Sequence, residues 1–211
     1  MISDNGLVAL ILDEEKISLT GLAHGGWKPV GNEKTITSSN GNIVFTIEGE
    51  PAIDLIARYA GIKRSDPANE TAIALASNFQ LQLKRENKHP VMRTPMYLNS
   101  ADGSIVFAGS LPQDSKVRFC LLPGFEVIDD AKKEFTEFKN QVPDADALIM
   151  FSCAGRQMAL GLFVSEEIIN IKNLWNAPMA GFFCFGEIGK VKGGNLEFHN
   201  MTCSLAILKE K

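Results

Sequence analysis

The chain is punctuated from its start: short β-like runs alternate with turn-forming residues, and that rhythm commits the first part of the fold to antiparallel sheet. The runs Gly6 to Leu12, Lys16 to Ala23, Lys34 to Thr37 and Asn42 to Ile47 are separated by Asp13-Glu14-Glu15, Gly25-Gly26 and Ser38-Ser39-Asn40-Gly41. Asn-Gly tolerates the positive φ of a two-residue loop, so Asn40-Gly41 predicts a tight hairpin within a meander. Pro51 then opens a helix, because its fixed φ suits a first helical position. Ile53, Ile56 and Ala60 share one face of it before Gly61 stops it.

Residues 62 to 67, Ile-Lys-Arg-Ser-Asp-Pro, read as the boundary between two parts, 1–61 and 62–211. A short helix over 68 to 77 leads to a β-like run from Phe79 to Leu83 and a polar loop from Lys84 to Lys88. Strands follow at Pro95 to Leu98, Ser104 to Ala108 and Lys116 to Leu122, with Asp102-Gly103 as a second hairpin turn. The clearest helix runs from Phe125 to Val142. Val127, Ala131, Phe135, Phe138 and Val142 recur there at three- and four-residue intervals, while Asp129, Lys132, Lys133, Glu137 and Lys139 take the other faces.

Pro143 ends that helix, and Ala145 to Phe151 follows as a buried strand. Ser165, with Glu166 and Glu167 in the first turn, begins another amphipathic helix whose Ile168, Ile171 and Trp175 face inward. Strand, helix and strand over 145–185 make a βαβ crossover, right-handed by the general rule for such units. Met179 to Ile188 and Leu196 to Leu208 form an antiparallel hairpin across Gly193-Gly194. The fold class is α+β: largely antiparallel mixed sheets with amphipathic helices packed on them.

Acidic residues outnumber Lys and Arg by 25 to 21, and no four basic residues are consecutive, so charge-driven binding to nucleic acid or an anionic membrane is not expected. No apolar stretch approaches the roughly 18 residues of a membrane span, and the N-terminus lacks the basic flank of a signal peptide. A cytoplasmic protein is the expectation. The four cysteines lie in apolar runs without C-x-x-C spacing, which fits reduced thiols better than disulfides or a structural zinc site.

The chemistry collects in three segments of the last third: F-S-C-A-G-R (151–156), A-G-F-F-C-F-G-E-I-G (180–189) and F-H-N-M-T (198–202). Each places reactive or polar residues at the end or middle of an apolar run, where strand ends line pockets. Cys153 precedes a turn into a helix beside Arg156, an arrangement that favours a thiolate, although a small buried hydrophobe closing the strand fits equally. The planar fork of Arg156 suits a carboxylate or phosphate ligand, or an internal ion pair with Glu166, Glu167 or Glu187. Glu187 stands in an otherwise uncharged run and reads as the partner of Arg156 or as an acceptor for a cationic group. Strand alternation sets it on the face of Phe183 and Phe185, opposite Cys184 and Gly186. Alternation also separates His199, which shares a face with Met201 and Cys203, from Asn200, which joins Phe198 and Thr202.

These three segments, in this order, resemble the FIST C-terminal domain over 62–211. Residues 6–61, with Gly26-Trp27-Lys28-Pro29-Val30-Gly31 and Gly49-Glu50-Pro51-Ala52, are similar to the tail of the companion FIST N-terminal domain. The resemblance implies a non-enzymatic sensory module of signal transduction. Its small, amino-acid-like ligand would be held by Cys153, Arg156, Glu187, Phe198, His199, Asn200 and Thr202, with a signalling partner such as a kinase or cyclase. It also implies that most of the N-terminal domain lies outside this sequence, so that self-association is one way to cover a bare sheet edge. No metal or other cofactor follows from the residues. Haem, bound by some family members as nitric-oxide sensors, is one alternative, with His199 or His24 as axial ligand. A cysteine-dependent hydrolase using Cys153, His199 and Glu187 is the other.

Overall fold

Gly41, at φ 59°, closes the predicted hairpin, and the strands it joins, β2 (Lys28–Asn40) and β3 (Ile43–Ile47), organise the N-terminal part of the molecule. The structure, a computed structural model, describes residues 5–61, 79–121 and 124–211. The helix expected over 68–77 and the boundary at 62–67 lie outside the described residues.

Strand β2 serves two ladders, pairing β9 (Lys116–Leu121) along its first half and β3 along its second. The change of partner follows a register shift between Val30 and Lys34, where Gly31 at φ 66° supplies the irregularity. With β4 (Glu50–Pro51), β5 (Gln80–Arg85), β6 (Lys88–Arg93), β7 (Pro95–Asn99) and β8 (Ser104–Phe107), these strands form one curled sheet of order β6-β5-β9-β2-β3-β8-β7, with β4 on β3. Strand β6 begins in what reads as a polar loop. Lys88, His89 and Pro90 are exposed on an edge strand, where a proline removes no needed ladder bond, and only Val91 and Met92 turn inward.

Helix α1 (Ala52–Ala60) starts after Pro51 and ends at Gly61, whose left-handed backbone returns its N–H to the Ala57 carbonyl. Its Ile53, Leu55 and Ile56 pack into the concave face of the curled sheet against Ile36, Val44, Leu81, Ile105 and Phe107.

A second sheet, of order β1-β14-β10-β11, holds β1 (Ile17–His24), β10 (Ala147–Cys153), β11 (Met179–Cys184) and β14 (Cys203–Glu210). Strands β10 and β11 are parallel, linked through α3 (Ala154–Leu160), a 3₁₀ turn and α4 (Val164–Trp175), so the predicted crossover is present. Helix α2 (Glu126–Gln141) and α4 cover one face of this sheet, where Phe135, Ile171 and Trp175 meet Leu148, Met150, Leu205 and Ile207. The class is α+β. No described helix is long and apolar enough to cross a membrane.

The C-terminal hairpin differs from expectation. Each of its long strands is broken, so that β11 and β14 join the four-stranded sheet while β12 (Glu187–Lys190) and β13 (Leu196–His199) pair with each other. The breaks have local causes. Met201 takes a left-handed φ of 63°, and a Cβ at Gly186 would run into the Phe198 ring. The run Gly6 to Leu12 also departs from expectation, since it joins no sheet.

Phe135 is fully buried at the centre of the second core. Phe135→Ala is expected to lower the unfolding free energy by about 3–5 kcal/mol, read from the urea midpoint at unchanged slope.

Candidate functional site

Strands β10 and β11 end side by side at Cys153 and Cys184, which are register partners. Beyond these ends the two breaks bring Glu187 and Thr202 against them. The Glu187 carboxylate accepts hydrogen bonds from Thr202 N (3.3 Å), Thr202 Oγ1 (3.0 Å) and Cys184 Sγ (3.4 Å). Cys184 Sγ also lies 3.5 Å from the Ser152 carbonyl oxygen, and the Cys153 N–H donates to Thr202 O. Alternation along an unbroken strand would have put Cys184 opposite Glu187. The bend at Phe185-Gly186 reverses that and places thiol and carboxylate together.

Arg156 forms its ion pair with Glu167, not with Glu187. Among the three carboxylates the sequence offers, its partner is Glu167, one helix away, with Nε at 2.9 and 3.2 Å from the two oxygens and Nη2 on Oε1. Its Nη1 donates to the carbonyls of Gly25 and Met201, and the guanidinium sits 5.1 Å from the Trp27 ring centroid. Both charges are at most 1% exposed. Every face of the fork is thus occupied by the protein itself, and Glu187 is left with neutral donors only among the described residues.

That difference shows in the titration behaviour. Burial raises the pKa of Glu187 above the usual carboxylate range, and the hydrogen bonds from Thr202 only partly oppose this. Burial and the nearby Glu187 push the Cys153 thiol up, and push the Cys184 thiol up to about 12. Neither thiol is a thiolate at neutral pH.

His199 faces Glu187 across the β12–β13 ladder and is buried, which lowers its pKa. Its Nε2 has no hydrogen-bond partner, so no bond joins it to Cys153. Asn200, 1% exposed, has neither its Nδ2 nor its Oδ1 paired, and Ser152 Oγ is likewise unpaired. Strand β13 ends at His199, and His199 and Asn200, which alternation assigns to opposite faces, are both buried. Phe198 lies on the opposite face of the hairpin, beside exposed Ile188, with Arg93 above its ring at 5.7 Å.

The structure therefore joins Cys153, Glu187 and Thr202 through direct contacts, sets His199 beside them in the ladder, and keeps Arg156 in a separate ion pair. Sequence reasoning passed over Cys184, whose signal was its place three residues before Glu187. It also passed over Arg93, at the end of β6 between the loop and strand read from the sequence, and the His24 Nδ1 to Glu134 contact of 2.6 Å, which spans 110 residues. Among the described residues no three His, Cys, Asp or Glu side chains are placed to hold a metal ion.

The described residues thus form an α+β fold with a buried polar cluster at the ends of two parallel strands. The chain belongs to the FIST family: it matches the FIST C domain over residues 52–190 and the FIST N domain over residues 2–50, and these are generally sensory domains of signal transduction. It is 21% identical over 188 residues to the uncharacterized protein Mb0898c of Mycobacterium bovis, a match covering 86% of this chain and 48% of that protein. The uncharacterized protein Rv0628c of Mycobacterium tuberculosis is also 21% identical, with 86% and 49% covered. The chain thus spans about half the length of the curated relatives it matches. No solved structure matches it.

Two outcomes follow. Arg156→Met or Glu167→Gln alone leaves a buried charge unpaired and is expected to cost about 3–5 kcal/mol in urea unfolding, whereas the double change Arg156→Met with Glu167→Leu recovers most of that loss. For Glu187 the folded pKa lies above the unfolded one, so its contribution is complete at low pH and declines as pH rises through the ordinary carboxylate range toward the raised value. Subtracting the pH–stability curve of Glu187→Gln from that of the wild type should isolate this falling limb; a rising limb would contradict the assignment.

Proposed function

We propose that this chain is the sensory part of a signal-transduction protein, with residues 1–61 as the end of a FIST N-terminal domain and 62–211 as the C-terminal domain. On this reading a small amino-acid-like ligand is held between the Cys153–Arg156 segment, Glu187 and the Phe198–Asn200 segment. Binding shifts a conformation that a cytoplasmic partner such as a kinase or cyclase reads. The observation that carries the proposal is Asn200, a buried side-chain amide whose donor and acceptor both lack a partner. A protein rarely leaves such a group unpaired without a use for it, and an α-amino acid offers the complementary donor and acceptor together. Arg156 shapes the wall rather than the contact, since Glu167 already fills its fork.

Binding without covalent chemistry fits the high-pKa thiols and the absence of a bond between His199 Nε2 and Cys153. The test is thermal unfolding against the common amino acids. A ligand at about 100 times its Kd adds roughly 2.7 kcal/mol, a rise of several degrees. The rise is expected to survive Cys153→Ala and to vanish in Asn200→Ala. A shift that persists in Asn200→Ala would move the ligand elsewhere, and hydrolase activity lost in Cys153→Ser, or a Soret band on haem titration lost in His199→Ala, would overturn the reading.

A further inference from the structure

Arg85, Arg93 and Glu197 gather where the β12–β13 hairpin meets β6, the edge strand of the curled sheet. Arg85, at the end of β5, gives its fork to the Glu197 carboxylate and the His89 carbonyl. Arg93, at the end of β6, has no carboxylate bonded to it among the described residues. Its Nε donates to the Ser110 carbonyl at 3.1 Å, and its Nη1 to the carbonyls of Met92 and Phe198 at 2.8 and 3.4 Å. The two N–H groups on Nη2 take part in none of these bonds. Packing holds the guanidinium in place: it stands over the Phe198 ring, and a Cβ at Gly109 would come within 2.6 Å of its Nε.

Two guanidinium groups therefore share one carboxylate, and a positive charge is left over. Burial first, and then the neighbouring charge of Arg85, lowers the Arg93 pKa to about 10, with Glu197 opposing them. A desolvated cation of this kind costs free energy until an anion joins it. Arg58 and Arg156 each hold a glutamate, and Arg118, which holds none, donates to the Gly31 carbonyl in an exposed contact. The surplus charge of the Arg85, Arg93 and Glu197 group adjoins the buried cluster. Phe198, whose carbonyl Arg93 holds, lies two residues before Asn200, a stretch of chain that spans at most roughly 7 Å. Arg93 and Arg85 also act on His199: after burial, their charges help to hold its pKa down.

Resting on the reading of Asn200 as a ligand contact, we propose that Nη2 of Arg93 takes the carboxylate of the amino-acid-like ligand. Glu167 already occupies the fork of Arg156, which leaves Arg93 as the cation beside the cluster with donors to spare. A charge-assisted bond to a buried guanidinium is strong and is lost when the anion is neutralised. The ligand class is then an amino acid with a free α-carboxylate, and the corresponding amides and esters, in which that charge is blocked, are poor substitutes.

Acetate and acetamide test this in the full chain, because they share a shape and differ in charge. In two-dimensional NMR of isotope-labelled protein at constant ionic strength, acetate is expected to move the Arg93 Nε–H resonance and acetamide to leave it in place. An amino acid that raises the wild-type melting temperature is expected to bind Arg93→Gln at least ~100-fold more weakly by calorimetry, while its α-amide binds both proteins alike. Arg93→Lys keeps the charge without the fork and is expected to retain part of the affinity, which separates loss of charge from loss of fold. An amino acid bound equally well by wild type and Arg93→Gln would overturn the role of Arg93 and leave the ligand reading standing. A response to acetate at Arg93 with no amino acid bound would uphold the carboxylate site and overturn the ligand reading. An Arg93 resonance indifferent to acetate would overturn the proposal.

Discussion

The ion pair between Arg156 and Glu167 holds the C-terminal part of this molecule together. Arg156 is the largest fully buried side chain among the described residues, and its fork touches four pieces of chain at once. It reaches α4 through Glu167, the loop after β1 through the Gly25 carbonyl, the link before β14 through the Met201 carbonyl, and the Trp27 ring at the start of β2. A guanidinium without water is tolerable only when its donors are met, and here carbonyls and a bidentate carboxylate meet them. One of these contacts reaches the carbonyl of Met201, whose left-handed φ of 63° turns the chain between His199 and Thr202.

Once Glu167 has taken Arg156, Glu187 is a buried carboxylate without a cation. It holds its place through Thr202 and Cys184 and keeps a raised pKa. Its ladder partner His199 carries an unpaired imidazole nitrogen, and the following residue, Asn200, an unpaired amide. A core assembled for stability alone would have replaced these groups with apolar ones, since unpaired buried polar atoms cost more than they return. Among the described residues the other buried side-chain polar atoms without a partner are His24 Nε2, Trp27 Nε1 and Ser152 Oγ.

Much of this was legible in the sequence. The hairpins at Asn40-Gly41 and Asp102-Gly103, the cap residues of α1, the apolar stripe of α2 and the parallel crossover follow from periodicity and turn chemistry, which act locally. The three C-terminal segments do come to the ends of neighbouring strands. What local rules missed depends on contacts far apart in the chain. Alternation put Cys184 away from Glu187 because nothing nearby announces the bend at Phe185-Gly186, which accommodates the Phe198 ring. Likewise the choice of Glu167 over Glu187 as the partner of Arg156 depends on how α3 packs on α4, and both glutamates lie at plausible distances along the sequence.

The central claim is that the unpaired amide of Asn200 is a ligand contact, and the side-chain NH₂ resonance of Asn200 reports on it directly. Titration of isotope-labelled protein with individual amino acids, followed by two-dimensional NMR, should move that resonance together with the backbone signals of Cys153 and Glu187 for at least one ligand. Shifts confined to other parts of the molecule, or an Asn200 signal unchanged by all of them, would contradict the account.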